Sequence, residues 1–249
     1  MLAAVPLALL LALGCAKDAN RESSSNRRVT LSDGWLAMGT FFEADLRIRE
    51  SEIPIAKSWL AWSRLELTRA EGVYSRHDRD SELSRLNRAL AASDAVGQGV
   101  AIGPALELAL RESVGLWEAT GGAFDVTVGP LVDVWTHAAE TDVWPSLEAL
   151  REAKERVGSD RLRLSQSGRV GVTTSRVRID LDAVAKGAAL DHVAAALVRV
   201  LPDAAALLSF GQSSTLAIGD PDGGGWVVAV QSSHPDGGEL ATLRLRDRA

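Results

Sequence analysis

Cysteine is almost absent: the 249 residues contain one, Cys15. A disulfide framework within the chain, a CxxC redox pair and a cysteine zinc site are therefore excluded. Histidine is scarce as well. His77, His137, His192 and His234 lie scattered, with no HExxH and no paired-ligand spacing. A basic surplus is missing, since 27 Lys and Arg stand against 33 Asp and Glu for a net charge of −6. That balance argues against a nucleic-acid partner. What is present is ordinary for a globular protein: 46% of residues are hydrophobic and 24% charged, which excludes wholesale disorder. The length suits one or two domains with a sizeable core.

Residues 2–14 (LAAVPLALLLALG) form an apolar run that stops at Cys15. The run is shorter than the roughly 20 residues of a membrane span and fits the apolar region of a signal peptide. Leu-Ala-Leu-Gly followed by the cysteine resembles the bacterial lipobox, in which the cysteine after a small residue becomes lipidated. An ordinary cleaved signal with an incidental cysteine is the alternative. We assign 1–15 as signal peptide with Cys15 as lipidation site, 16–30 as a flexible polar tether, and 31–249 as the folded domain.

Residues 41–49 alternate apolar and charged side chains, the pattern of a half-buried strand. Residues 54–73 carry Ile55, Trp59, Trp62, Leu65 and Val73 near helical spacing, with Pro54 in the first turn. A short helix follows over Asp80–Asn87, capped by Asp80 or Ser81. Gly97–Gly103 reads as loop, Pro104 opens a helix that Gly121-Gly122 ends, and Ser146 caps a charged helix stopped at Gly158. Strand-like pieces at 161–164, 169–173 and 176–181 precede a helix over about 184–200. Further strands are expected near 205–210, 214–218, 226–231 and 240–246. Strands and helices do not alternate regularly, so the fold class is α+β, with mixed sheets and packed helices.

Four segments can carry chemistry. Ala37-Met38-Gly39-Thr40 stands just before the first expected strand. Its glycine either lets a ligand approach or makes a turn leading into the strand. Tyr74-Ser75-Arg76-His77-Asp78, followed by SELSRLN, holds the only tyrosine, whose ring either stacks on a heterocycle or packs on the core. Thr120–Pro130 (TGGAFDVTVGP) either offers exposed N–H groups to an anion or ends a helix and enters a strand. Ile179–Gly187 (IDLDAVAKG) places two carboxylates before a helix with Lys186 in its first turn. A helix N-terminus with a lysine suits phosphate, and neighbouring carboxylates and carbonyls suit Mg²⁺. The bland alternative is an Asp cap and a solvated lysine. No Walker A sequence is present.

In this order the four segments resemble the ApbE family, the FAD:protein FMN transferases. The resemblance covers roughly residues 31–249, and GAFDVTVGPL and IDLDAVAKG are its most specific stretches. It implies an α+β flavin-binding domain that moves FMN from FAD to a Thr or Ser hydroxyl of an acceptor flavoprotein, with Mg²⁺ and release of AMP. It also implies FAD contacts at Met38, Tyr74, Ala123, Phe124, Asp125, Asp180 and Lys186. Ala183 would give a backbone carbonyl to the metal, and Asp180 and Asp182 are the nearest candidates for the general base. Exported lipoproteins are common in the family. The chain is accordingly expected to be a membrane-anchored lipoprotein of a bacterial cell envelope, without a nucleic-acid partner.

The family pattern usually continues past a strand like ATLRLRDRA into T-S-G and H-I-x-D-P-x-T-G, with an Asp…Thr pair that completes the metal site. Here the sequence stops at Ala249, where T-S-G would begin, and Gly211-Gln212 replaces the usual G-G. His234 belongs to an earlier turn. The sequence therefore reads as a copy incomplete at its C-terminus. The alternatives are a catalytically inactive FAD-binding relative and a lipid-anchored interaction domain whose motifs serve packing.

Overall fold

The computed structural model describes residues 27–91, 99–174, 177–211, 213–234 and 237–247. Cys15, the signal segment and Gly97 lie outside them. The chain divides into two compact units, one of residues 1–65 with 190–249 and one of residues 66–189.

The first unit is built on an antiparallel sheet of order β1-β2-β6-β7. Its strands are β1 (Arg28–Ala37), β2 (Thr40–Arg49), β6 (Ala205–Phe210) and β7 (Ser214–Ile218). Period-two patterning decides its faces. Phe42, Ala44, Leu46 and Ile48 of β2 are buried, and so are their pairing partners Phe210, Leu208 and Ala206. Trp35, Phe42 and Phe210 form one aromatic row across three strands, with ring centroids 4.6 and 5.2 Å apart. On the opposite face Ala205 and Ala217 pack with Trp226, joined by Leu207 and Leu245. Trp226 and Leu245 belong to a ribbon of β8 (Trp226–Gln231) and β9 (Glu239–Leu245). In the same unit Trp59 Nε1 donates to the Val193 carbonyl at 3.0 Å. This bond ties α1 (Ile53–Tyr74) to α6 (Asp182–Val200), the two helices within which the units divide.

The second unit is mostly helical. It holds α2 (Glu82–Ala91), α3 (Pro104–Ala119), α4 (Gly129–Thr141) and α5 (Leu147–Lys154). A small antiparallel sheet of order β3-β5-β4 joins Val100–Ala101, Arg169–Val172 and Leu162–Leu164. Leu83, Leu86, Leu90, Leu106, Leu110 and Val170 are fully buried.

The α+β class stands, and several local expectations are corrected. Arg28–Thr30, expected as tether, belong to β1. Met38 and Gly39 do not precede the first strand. They form the two-residue turn between β1 and β2, with φ of 48° and 73°, the backbone a tight hairpin requires. In α1 the buried stripe is Ala56, Trp59, Leu60, Ser63 and Leu67, whereas Ile55 and Leu65 face solvent. Gly99–Gly103 is not all loop, since Val100 pairs with Val170. Thr120–Pro130 leads into a helix rather than a strand, because Pro130 is preset for a first helical turn. Gly129 also fits there because a Cβ would lie 2.7 Å from the Arg178 carbonyl oxygen. Residues 177–181 form no strand; one parallel bridge, Val128 to Arg178, is all the pairing they show among the described residues. Finally, α6 starts at Asp182, because the Asp182 N–H donates to Asp180 Oδ1 at 2.9 Å and extends the helix N-terminally. Lys186 therefore sits beyond the first turn.

Candidate functional site

Three of the four segments meet within the second unit, and α2 is the bracket that joins them. Ser81 caps α2 by accepting the Ser84 N–H at 3.0 Å. The Ser75 carbonyl accepts from the hydroxyls of both Ser81 and Ser84. Six residues along α2 from Ser81, Asn87 holds the opposite segment. Its Nδ2 donates to the Ile179 carbonyl and its Oδ1 accepts the Ile179 N–H, each at 2.8 Å. The Asp180 N–H then donates to the Val126 carbonyl at 2.7 Å. SELSRLN is thus a set of backbone grips, and it fixes Arg76 on one side and Asp180 on the other.

Between those grips lies a charged cluster. Arg76 Nε is 3.0 Å from Asp182 Oδ2 and 3.3 Å from Asp180 Oδ2, and its Nη1 is 4.0 Å from Asp133 Oδ1. Arg178 pairs with the other oxygen of Asp133. Asp180 is 7% exposed, Arg76 15% and Asp182 52%, so the cluster has one buried and one open carboxylate. His77 Nε2 stands 3.9 Å from Asp182 Oδ2. The sequence pointed to Asp180 and Asp182 but not to Arg76 as their partner, to Asp133 on the same guanidinium, or to Asn87 as the grip on the neighbouring Ile179. The signal available for two of them was their place inside the quoted Y-S and SELSRLN motifs.

Asp125 is committed to the fold. Its Oδ1 accepts the Thr127 N–H (2.8 Å), the Thr127 hydroxyl (2.6 Å) and the Ser159 hydroxyl (2.7 Å), while Oδ2 accepts the Ser159 N–H (2.9 Å). Thr127 Oγ1 accepts in turn from the Gly158 N–H at 2.7 Å. Ala123 is exposed and Phe124 half-buried in the turn before this knot. The Phe124 N–H is held by Thr120 Oγ1 at 3.1 Å.

Tyr74 closes α1, is 9% exposed, and donates its hydroxyl to the Ala105 carbonyl at 3.3 Å. Burial raises its pKa, and Glu112 and Glu82 add to the rise. Lys186 is half-buried on α6 and has no hydrogen-bonding or ion-pair partner among the described residues. Met38 belongs to the other unit, at the hairpin turn. A shallow apolar cleft borders the cluster on the α4 side. Asp133, His137, Val143 and Trp144 line it, and Trp135 and Trp144 stack edge to face at 5.9 Å.

The described side chains do not form a metal cage. Among the described residues no group of three His, Cys, Asp or Glu gathers with ligand geometry. Asp180 and Asp182 are turned to Arg76. The Ala183 carbonyl sits in the first turn of α6, where the helical ladder engages it. A resident Mg²⁺ held by side chains alone does not fit the described residues.

The ApbE family's sequence profile matches residues 38–249. The FAD:protein FMN transferase of Haemophilus influenzae is 33% identical over 131 residues, 51% of this chain and 37% of that protein. That of Klebsiella pneumoniae is 30% identical over 230 residues, 90% of this chain and 63% of that protein. Among solved structures, a mutant of the flavin transferase ApbE from Vibrio cholerae superposes with a TM-score of 0.73 at 25% identity, covering 89% of this chain and 71% of that one. The ApbE protein from Thermotoga maritima gives 0.71 at 24% identity, over 89% of this chain and 68% of that one. The chain thus spans between 37% and 63% of the length of these two curated relatives.

Proposed function

Since this chain belongs to the ApbE family, we propose that it transfers FMN from FAD to a serine or threonine hydroxyl of an acceptor flavoprotein, releasing AMP. The observation that carries the reading is that the Y-S and IDLD segments meet in one charged cluster, held by the Asn87 grip, and that the Val126 carbonyl following GAFD bonds the Asp180 N–H.

The chemistry is a displacement at phosphorus. The acceptor oxygen bonds to the phosphorus on the FMN side. The bond from that phosphorus to the bridging oxygen breaks, and AMP leaves with that oxygen. The hydroxyl proton goes to a base, and Asp182, half-open at the head of α6, is the group suited to take it. Asp180, buried and bonded on both oxygens, holds that segment still. Lys186, without a partner among the described residues, supplies a cation on the same helix for the phosphates. Mg²⁺ enters this reading as an ion carried by the dinucleotide's pyrophosphate, which is its usual manner of binding.

The test is the intact mass of an acceptor domain carrying a Ser/Thr flavinylation motif, incubated with this chain, FAD and Mg²⁺, with an EDTA control. A metal-dependent gain of one FMN is the expected result. Bound FAD without mass gain or AMP release instead identifies a binding-only relative. We read residues 1–15 as an export signal that leaves Cys15 lipid-anchored at the cell envelope, supported by the apolar run before it. Palmitate labelling lost in Cys15→Ser is the expected result, and labelling retained in that variant refutes the anchor.

A further inference from the structure

We infer that Arg76 is the positioning residue of this site: it acts through Asp180 and Asp182 rather than on the flavin nucleotide. The inference rests on the flavin-transfer reading above and deepens it.

Three facts carry it. The Arg76 Nε reaches both carboxylates at once, 3.3 Å from Asp180 Oδ2 and 3.0 Å from Asp182 Oδ2. Its side chain is only 15% exposed and that of Asp180 7%, so solvent screens this pair poorly, while Asp182 remains open at 52%. Its backbone is pinned as well: the Arg76 carbonyl accepts from Ser84 Oγ at 3.4 Å, and the carbonyl before it is held by Ser81 and Ser84. A guanidinium fixed at root and tip is a template for the two oxygens it faces.

The electrostatics say why a template is needed. Asp180 and Asp182 share one cation, and Asp133 stands 4.0 Å from the same guanidinium with Arg178 on its far side. Without Arg76 the first two carboxylates lose their common counter-charge and repel each other. They also repel a pyrophosphate approaching the head of α6. A flexible lysine keeps the charge and loses the rigid fork.

The experiment uses the full chain and reads FAD affinity by flavin fluorescence, with the thermal midpoint measured alongside. The variants are Arg76→Gln and Arg76→Lys, each in the native background and in Asp180→Asn/Asp182→Asn. Arg76→Gln is expected to weaken FAD binding by about tenfold or more in the native background. The same change in the Asp180→Asn/Asp182→Asn background is expected to shift affinity by less than about twofold, because the two carboxylates nearest its Nε are gone and only Asp133, at 4.0 Å, remains. Arg76→Lys is expected to fall between wild type and Arg76→Gln, and it carries the same cycle if Arg76→Gln does not fold. A penalty of equal size in both backgrounds overturns the inference and makes Arg76 a direct ligand of the nucleotide. Unchanged affinity in Arg76→Gln also overturns it while leaving the flavin reading intact. A wild-type chain that is folded and binds no FAD overturns the flavin reading itself, and the role of Arg76 falls with it.

Discussion

Asn87 grips Ile179 from both sides, its amide nitrogen donating to the Ile179 carbonyl and its amide oxygen accepting the Ile179 N–H, each at 2.8 Å. Ile179 is 1% exposed, so neither backbone group has water to fall back on. Asn87→Ala is expected to destabilise the chain by about 2–4 kcal/mol, the cost of leaving two buried polar groups unpaired. Urea unfolding of the purified chain measures it. A loss of less than half that lower bound means that the 177–181 segment is held by other contacts.

Asp125 makes a sharper case because an isosteric change breaks it. Its two oxygens accept four hydrogen bonds, from Thr127 and Ser159. In Asp125→Asn one oxygen becomes an amide NH2 group, a donor that must face an N–H or a hydroxyl donor. The expected loss is about 2–3 kcal/mol, and Ser159→Ala, which removes one neutral donor, should cost about 1–2 kcal/mol. Equilibrium denaturation of both variants checks the order. Equal losses contradict the accounting.

Period and punctuation made much of this fold legible before any coordinates. Phe42, Ala44, Leu46 and Ile48 alternate so regularly that β2 could be read from the sequence, and its face is the buried one. The long helix was legible as a helix, yet its buried side was not. Ile55 and Leu65 are apolar and exposed, and Ser63 is polar and buried, so hydrophobicity alone pointed to the wrong stripe. The site was half legible. Asp180 and Asp182 declared themselves by standing before a helix. Arg76 lies 106 residues from Asp182, and Asn87 lies 92 from Ile179, so those pairings are products of the tertiary fold. Asp125 could be named as a site residue, but nothing local shows that Ser159 donates twice to its carboxylate.

Gly211 follows β6 in left-handed backbone, φ +54°, and its N–H donates to the Phe41 carbonyl at 2.7 Å. A Cβ there would lie 3.1 Å from both Cβ and Cγ2 of Thr40 and closer still to its hydroxyl oxygen. The glycine after β6 and the threonine of MGT are thus matched at the adjoining ends of the two central strands. Gly211→Ala combines backbone strain with this collision and is expected to cost about 1–3 kcal/mol. Thermal unfolding of Gly211→Ala tests the strain. The collision is tested by Gly211→Ala in a Thr40→Gly background, which should recover part of the loss relative to Thr40→Gly alone. No recovery assigns the whole effect to φ.

Tyr74 supplies a prediction with a built-in probe, because it is the only tyrosine in the chain. Burial is the main reason its phenol titrates above the ordinary value of 10.0, and the carboxylates of Glu112 and Glu82 push the same way. The sign of the linkage follows. The unfolded chain ionises this phenol near 10, while the folded chain resists ionisation until higher pH. The contribution to stability is therefore full below about pH 10 and is lost as pH rises through the raised folded value. Tyrosinate absorbance near 295 nm reports Tyr74 alone. The expected trace for the folded chain has its midpoint above that of the chain in denaturant. Tyr74→Phe removes the titrating group, so its unfolding free energy should decline less between about pH 9 and pH 11 than that of wild type. A folded-state midpoint at or below the denatured one would show that the ring stands in solvent, contrary to its place at the end of α1.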